Sequence, residues 1–282
     1  MMRVRFLPGG QIPACIFSEP FFIMKLISLN TWGGRIFEPL IKFIRSASVD
    51  TDIFCFQEMF TYQEAQTSNN TRLNLFSEIK NILSGHAAFF EPIQDYTDVE
   101  GVSGVPSTFG QAIFIRNSFA VEKTGFLFTY RSLNAREGGD IDTMGVGFQY
   151  LQFARNKKRF AILSLHGISR PGDKLDTPDR IKQSERIVHF LEGINVPKIL
   201  CGDFNLMPKT RSIQMIEEAG LTNLITAFNI QETRGKLSPF YGKPDYQKFA
   251  DYAFVSKDVL VHSFAVPDSG ISDHLPMILE FS

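Results

Sequence analysis

The side chains of this sequence that could do chemistry lie where short apolar segments end. Asn30 follows the largely apolar segment 26–29, and Glu58 and His166 each follow a further apolar segment. The full set is Asn30, Glu58, His166, Asp203, Asn205, Asp251, Asp273 and His274. Such residues offer oxygen or imidazole ligands to a cation, and the histidines also exchange protons. Because strand ends present side chains to a shared cleft, we expect one constellation assembled from separate segments.

Each motif also has a simpler structural explanation. Residues 202–205, Gly-Asp-Phe-Asn, are of the types favoured in a strand-to-loop turn. His166 alone is compatible with a hydrogen-bonded structural imidazole. Glu58 is compatible with an exposed strand end, Asp251 with a structural carboxylate, and residues 272–274 with a polar turn. The functional interpretation therefore depends on the motifs taken together.

The segments that must position these residues alternate between apolar runs of strand length and helical patterns. This alternation is typical of a mixed α/β domain whose sheets are covered by helices. The predicted strands are residues 24–30, 52–57, 87–90, 111–116, 126–130, 148–154, 159–165, 198–201, 252–255 and 277–281. The predicted helices are residues 73–83, 179–191 and 212–219.

Turn residues set several predicted boundaries. Thr177 and Pro178 are typical of a helix start, and Gly220 of a helix end. The glycine-rich residues 138–147 are predicted to form a loop. Residues 155–158, Arg-Asn-Lys-Lys, form the basic tip of a predicted hairpin, which is either a solvated turn or a contact for phosphate.

The amino-terminal residues 1–23 differ in pattern from the rest of the chain. Arg3 and Arg5 precede a mildly apolar stretch, as in a secretory signal peptide, but Pro8 and Pro13 interrupt it. We therefore expect an extension that is not part of the fold, followed by a single domain over residues 24–282. Secretion is the minority alternative to a cytoplasmic location.

The composition of the 282-residue chain excludes several classes of protein. Its 44% apolar and 21% charged residues are typical of a soluble globular protein, and no apolar run is long enough to predict a transmembrane helix. A net charge of -1 argues against tight, nonspecific coating of nucleic acid, although a locally positive cleft stays open. The three cysteines, Cys15, Cys55 and Cys201, form no CxxC pair, which favours a reducing compartment.

Six short motifs follow one another along the chain. They are Asn30-Thr31-Trp32, Phe56-Gln57-Glu58-Met59, Leu165-His166-Gly167, Gly202-Asp203-Phe204-Asn205, Asp251-Tyr252-Ala253-Phe254-Val255 and Ser272-Asp273-His274-Leu275-Pro276. In this order they resemble the endonuclease/exonuclease/phosphatase superfamily, which includes pancreatic deoxyribonuclease, neutral sphingomyelinases, deadenylases and tyrosyl-DNA phosphodiesterases. The resemblance covers about residues 24–282. It implies an α+β fold, a four-layer α/β/β/α sandwich with two central mixed sheets, and Mg²⁺-dependent cleavage of a phosphate ester.

The resemblance implies a metal site that the residue types support. Glu58 and Asp273 supply carboxylate oxygens and Asn30 an amide oxygen, a ligand set that suits Mg²⁺ or Mn²⁺. Zn²⁺ is disfavoured because the sequence has no Cys/His cluster with zinc spacing. One divalent ion is the minimum, and it would neutralise charge that accumulates on the phosphate or the leaving oxygen.

The resemblance also implies the catalytic roles. His274 would orient or deprotonate the attacking water, and Asp251 would accept its other ring N–H and fix the tautomer. Asp203 and Asn205 would position the water and the phosphoryl group. His166 would donate to a phosphate oxygen, and no covalent intermediate is required.

The motifs favour some branches of the superfamily over others. The pair of His166 and His274 is closer to the deoxyribonuclease, sphingomyelinase and deadenylase branches than to the exonuclease III branch, so abasic-site repair is disfavoured. The segment typical of the inositol phosphatases is missing. Arg180 and Gln183 resemble a recurring Arg-x-x-Gln pair that could serve packing or substrate contact, and Gln111 replaces a small residue near a cleft. Loops 96–109, 134–146 and 232–247 are the predicted substrate determinants.

The sequence therefore predicts a divalent-metal-dependent phosphodiesterase that acts on a phosphoester substrate. One alternative is a phosphatase for a phosphorylated small metabolite or lipid head group, and another is a noncatalytic binding module. Nucleic acid is a possible substrate that the sequence does not establish. A monomer is favoured.

Overall fold

The structure is a computed structural model that describes residues 22–95, 105–136 and 143–282. Its strands are β1 (Met24–Asn30), β2 (Ile53–Thr61), β3 (Thr67–Ser68), β4 (Thr71–Arg72), β5 (His86–Asp95), β6 (Thr108–Arg116), β7 (Ala120–Tyr130), β8 (Val146–Arg155), β9 (Lys158–His166), β10 (Lys198–Asp203), β11 (Leu221–Asn223), β12 (Asp251–Ser256), β13 (Val261–Ala265) and β14 (Met277–Phe281). Its helices are α1 (Phe37–Ala47), α2 (Leu75–Ile82), α3 (Pro178–Glu192), α4 (Arg211–Glu218) and α5 (Leu224–Ala227), with a single 3-10 turn at Trp32–Gly34.

Two six-stranded mixed sheets form the centre of the fold. The first has the order β13-β14-β1-β2-β6-β5, and the second has the order β11-β12-β10-β9-β8-β7. Each contains one parallel pair among antiparallel neighbours, β1 with β2 in the first and β9 with β10 in the second. The expected pair of mixed sheets is confirmed.

The alternation of side chains along the strands builds the layers. In β2, Ile53 and Cys55 belong to the core between the sheets, whereas Phe54 and Phe56 pack on the outer face. That outer face is covered by α1 and α2 through residues such as Leu40 and Ile79. Helices α3 and α4 cover the second sheet, so the four-layer α/β/β/α sandwich is confirmed.

Most predicted elements occur with shifted ends. The predicted loops 138–147 and 134–146 overlap β8, which already begins at Val146, and the predicted loop 96–109 overlaps β6, which begins at Thr108. Residues 1–21, 96–104 and 137–142 lie outside the described residues, as do most of the predicted extension 1–23 and part of those loops. In the part of the chain that the structure describes, no helix has the length and apolarity needed to cross a bilayer.

Candidate active site

Strand pairing gathers the predicted site residues at one edge of the sandwich. Asn30 is the last residue of β1, and His166 and Asp203 are the last residues of the parallel strands β9 and β10, where they stand in register. Asp251 is the first residue of the antiparallel strand β12 and is in register with Asp203. The carboxyl ends of three strands and the amino end of a fourth therefore meet.

Glu58 reaches the same edge through an irregularity inside a strand. The sequence predicted a strand that ended at Gln57, but β2 continues to Thr61, and its register with β6 shifts between Phe56 and Met59. Glu58 has a φ of 55° at this bulge. A bulge redirects a side chain without ending the strand, and here it brings the carboxylate to Asn30 and His166.

Short contacts join the residues of the two sheets. The Asn30 Nδ2 donates to Glu58 Oε1 at 2.8 Å and to Asp203 Oδ2 at 3.1 Å. His166 Nε2 lies 3.7 Å from Glu58 Oε1. Since Asn30 and Glu58 belong to the first sheet and His166 and Asp203 to the second, the site lies across the two sheets.

Asp251 and His274 form a buried pair. The two carboxylate oxygens of Asp251 lie 3.0 and 2.8 Å from Nδ1 of His274, and both side chains are buried. Burial alone would lower the pKa of His274, but the negative charges of Asp251, Asp273 and Asp203 raise it to about 9. Burial raises the pKa of Asp251. The second nitrogen, Nε2 of His274, lies 3.7 Å from Asp203 Oδ2.

The loop that carries His274 is tied to the first sheet. The hydroxyl of Ser272 donates to the backbone oxygen of Asn30 at 2.7 Å and accepts the backbone N–H of His274 at 3.2 Å. The end of β1 therefore fixes the imidazole that Asp251 holds from the second sheet.

Asp203 lies at the centre of the charged groups, and Asn205 lies beside it. Burial would raise the pKa of Asp203, but His274, Lys174 and His166 lower it instead. The backbone N–H of Asn205 donates to Asp203 Oδ1 at 2.9 Å, and Asn205 has a φ of 54°, as Asx turns allow. Residues 202–205 therefore form the predicted turn and also contribute side chains to the site.

Asp273 is paired with a cation that the sequence analysis did not name. Nη2 of Arg234 lies 2.5 Å from Asp273 Oδ2, and both side chains are largely buried. Arg234 belongs to loop 232–247, which was predicted to determine the substrate, but no motif distinguished this arginine from the other basic residues there.

Lys174 is a second cation that the sequence analysis missed. It lies in the loop between β9 and α3, is only 7% exposed, and donates through Nζ to Asn205 Oδ1. Burial lowers the pKa of the Lys174 ammonium to about 8, against the attraction of Asp203. Nothing in the sequence indicated that this lysine, unlike its surface counterparts, is buried.

Arg180 and Gln183 hold the loop that carries Lys174. The fully buried Arg180 guanidinium donates to the backbone oxygens of Ile168, Ser169, Pro171 and Leu175 at 2.5 to 3.3 Å. The Gln183 Oε1 accepts the backbone N–H of Ile168 at 3.2 Å. Of the two predicted roles for this pair, the contacts support packing.

Gln111 lies inside the sandwich. Its Nε2 donates to the backbone oxygens of Gly147 and Ser164, at 3.4 and 3.2 Å, and the side chain is fully buried. The Gln111 side chain therefore fills space between the sheets.

A cleft of about 480 Å³ opens over the site. Its residues are Trp32, Glu58, His166, Ser169, Arg170, Gly172, Asp173, Lys174, Asp203, Asn205, Arg234, Ser238, Phe240, Asp245, Tyr246, Gln247, Asp273 and His274. Glu58, Asp203 and Asp273 line it with carboxylates, whereas residues 238–247 contribute the aromatic rings of Phe240 and Tyr246. The cleft has room for a compact ligand with polar and aromatic parts.

The donor groups suit a hard divalent cation. Among the described residues, two sets of side chains bring their potential ligand atoms within 4.8 Å of one another: Glu58 with His166 and Asp203, and Asp203 with Asp251 and His274. The concentration of carboxylate oxygens fits Mg²⁺ or Mn²⁺. Asp273 belongs to neither set, and Asn30 directs its Nδ2 to Glu58 while its Oδ1 accepts the backbone N–H of Trp32 at 2.9 Å. Ligation by Asn30 would therefore need rotation of its amide.

Solved structures share this arrangement of sheets. An endonuclease/exonuclease/phosphatase family protein from Bacteroides thetaiotaomicron is 18% identical, with 92% of this chain and 97% of that chain covered and a TM-score of 0.68. A mannosyl-6-phosphatase from the same organism is 19% identical, with 92% and 99% covered and a TM-score of 0.66. The catalytic domain of human Nocturnin is 17% identical, with 92% and 93% covered and a TM-score of 0.62. At these identities the likeness shows the fold.

The sequence itself carries the family relationship. No curated protein matches the chain. The profile of the Endonuclease/Exonuclease/phosphatase family matches residues 27–274, a span that runs from β1 to the histidine after Asp273 and includes every predicted site residue. The chain therefore belongs to the endonuclease/exonuclease/phosphatase family, whose members are phosphoesterases.

Proposed function

We propose that this protein is a divalent-metal-dependent phosphodiesterase that acts by attack of water on phosphorus. The observation that carries the proposal is the meeting of Glu58, Asp203 and the Asp251–His274 pair at one cleft, with contacts across both sheets. A site of acidic oxygens beside a buried Asp–His pair supports hydrolysis assisted by a cation and a proton-transfer group.

Glu58 and Asp273 are the carboxylates that would hold the ion, with Asn30 after rotation of its amide and Asp203 as a further oxygen donor. When bound, Mg²⁺ or Mn²⁺ supplies positive charge that stabilises the developing charge on the phosphate or leaving oxygen.

Side chains of the protein would orient the water and the phosphoryl group and transfer protons. Asp251 fixes Nδ1 of His274, so Nε2 is the atom that would orient the water. It would accept the proton of the water once the charge of a bound cation lowered the raised pKa of the imidazole. His166, whose pKa burial lowers, would donate a hydrogen bond to a phosphoryl oxygen. Asn205, with Asp203, would fix the position of the water and the phosphoryl group.

A phosphatase for a small phosphorylated metabolite or lipid head group is the second candidate. The compact cleft contains two cationic side chains, Lys174 and Arg234, and they favour a phosphatase because a terminal phosphate carries more negative charge than a diester. A noncatalytic binding module is the third candidate. The intact acidic and histidine groups argue against it.

A broad screen of phosphoesters, with His274→Ala as the blank, would test the proposal. Hydrolysis of bis(p-nitrophenyl) phosphate above p-nitrophenyl phosphate would support the diesterase. The opposite order would support the phosphatase, and no hydrolysis above the blank would support the binding module.

The dependence of substrate affinity on salt would separate nucleic acid from a compact substrate. A steep decline would indicate several phosphate contacts, and a flat dependence would indicate a compact ligand. We propose a cytoplasmic location, since Cys55 and Cys201 are free, buried thiols. The monomer stays a prediction.

A further inference from the structure

Arg234 forms an ion pair with Asp273, so the guanidinium and a bound divalent ion would compete for the same carboxylate. Asp273 is among the proposed metal ligands, but its Oδ2 accepts from Arg234 at 2.5 Å. The side chains are 12% and 6% exposed, so water screens their attraction poorly. A divalent ion that binds Asp273 must therefore compete with the guanidinium.

The backbone of Arg234 is fixed, so the side chain is the part that can rearrange. Its N–H donates to the backbone oxygen of Lys248 at 3.1 Å, and its backbone oxygen accepts the Tyr246 hydroxyl at 2.8 Å. Residues 234 and 274 also form an isolated β-bridge. The guanidinium is thus held at the wall of the cleft beside His274.

A second observation indicates that the guanidinium is only partly satisfied. Its Nε is buried and has no hydrogen-bond partner among the described residues. Its Nη2 reaches Ser238 Oγ only at 3.4 Å. A buried guanidinium with spare donors is suited to an additional oxyanion, because its N–H groups match two phosphate oxygens at once.

We propose that Arg234 neutralises Asp273 until a divalent ion takes that carboxylate, and that the released guanidinium then binds the phosphate of the substrate. The inference rests on the proposed function, because it needs a metal at Asp273 and a phosphate in the cleft. It makes Arg234 a phosphate-binding residue that couples the two ligands, so each ligand strengthens the binding of the other.

The first test is calorimetric titration of the full-length protein with Mn²⁺ alone. Arg234→Gln is expected to raise Mn²⁺ affinity about tenfold, because the ion no longer displaces a guanidinium. Lys174→Gln is the matched control, since it removes a positive charge from the same cleft but from Asn205 rather than from Asp273. It is expected to raise the affinity only about twofold, through general electrostatics. If Arg234→Gln fails to fold, Arg234→Met, which also lacks the positive charge, replaces it with the same expected gain.

Equal increases in the two variants would overturn the proposal, because Arg234 would then act only through its charge. Failure of the wild-type protein and of both variants to bind Mn²⁺ would instead overturn the proposed metal site, and the inference with it.

The second test uses inorganic phosphate in excess chelator. Asp273→Asn is expected to raise phosphate affinity about tenfold by releasing Arg234, and the double variant Asp273→Asn/Arg234→Gln is expected to lose that gain. A gain that persists in the double variant would show that the lost negative charge, and not the released guanidinium, strengthens binding, and would overturn the proposal.

Discussion

At the scale of single residues, the imidazole of His274 is the group whose surroundings are most specific. Asp251 holds one ring nitrogen, and Ser272 fixes the backbone. His274→Gln is therefore expected to reduce phosphoester hydrolysis by about 100-fold or more, because it removes the proton-transfer group. His189→Gln, at an exposed histidine of α3, is the control and is expected to keep wild-type activity.

His274→Gln leaves the buried Asp251 carboxylate without its cationic partner and is therefore expected to unfold at a lower urea concentration than His189→Gln, so the activities are compared per folded protein. If the folded fraction of the His274→Gln protein kept wild-type specific activity, the imidazole would have no role in the mechanism.

Lys174 is expected to cost stability. Its pKa is about 8 in the folded protein and about 10.5 when exposed, so folding disfavours the ammonium. Above pH 10.5 Lys174 is neutral in both the folded and the unfolded protein and has no such cost. As the pH falls from 10.5 to 8, the unfolded chain takes up the proton first, so the free energy of unfolding falls, and the full cost is present below pH 8. Lys174→Met is therefore expected to be more stable than the wild type by about 2 kcal/mol at pH 7, with an advantage that shrinks toward pH 10.

Urea unfolding of both proteins from pH 7 to pH 10 measures this difference. A constant difference in unfolding free energy across that range would show that Lys174 does not titrate in it. The hydrolytic activity of the Lys174→Met protein is expected to fall, because the ammonium lines the cleft.

The sequence predicted the site residues that end strands but not the cations that face them. Asn30, His166 and Asp203 follow recognisable apolar segments, so their placement follows from strand pairing. Arg234 lies in a loop and contacts Asp273, which is 39 residues later in the chain. The pattern of residues around Arg234 therefore does not predict this contact.

At the scale of elements, β10 approaches β9 so closely that residue 202 must be glycine. A Cβ on Gly202 would lie 2.1 Å from the backbone oxygen of Leu165, and Gly202 has a φ of 128°. Gly202→Ala is therefore expected to lower the free energy of unfolding by about 3 kcal/mol or more, and to disturb the adjoining Asp203.

Gly220→Ala is the matched control for backbone conformation. Gly220 also has a positive φ, 90°, but a Cβ there would meet no atom within 4 Å. Its cost is expected to be about 1 kcal/mol. Equal losses in the two urea unfolding curves would contradict the proposed clash between the strands.

Element prediction succeeded where periodicity was clear and failed where tertiary contacts decide. Strand β1 was predicted with its observed ends, since Leu26, Ile27 and Leu29 follow a clear change in pattern at Met24. Helix α1 was not predicted, although Leu40 and Ile44 bury one face of it against the first sheet. The bulge at Glu58 was also missed, because it is defined by register with β6 rather than by residue type.

At the scale of the whole molecule, we propose that the domain begins at Met24, where β1 begins. Before it, Phe22 is 49% exposed, and the guanidinium of Arg155 lies 5.5 Å from the centre of its ring. A protein that starts at Met24 is therefore expected to match the full chain in free energy of unfolding to within about 1 kcal/mol. Urea unfolding tests this, and a truncated protein that does not fold would place the earlier residues in the domain.

The family motifs predicted the two-sheet architecture best, because each motif lies at or beside the end of a strand. The site lies between the sheets, with Asn30 and Glu58 from one and His166, Asp203 and Asp251 from the other. The loops that were predicted to determine the substrate have sequences that indicate no particular ligand, because their residues show no recognisable binding motif.

Hydrolysis of bis(p-nitrophenyl) phosphate in the presence and absence of a divalent ion tests the central claim most directly. The wild-type protein is expected to be active with Mg²⁺ or Mn²⁺, inactive in excess chelator, and active again when the ion is restored in excess. Glu58→Gln is expected to lose about 100-fold or more under the same conditions. Activity that is unchanged in excess chelator would contradict a reaction that depends on a cation at this cleft.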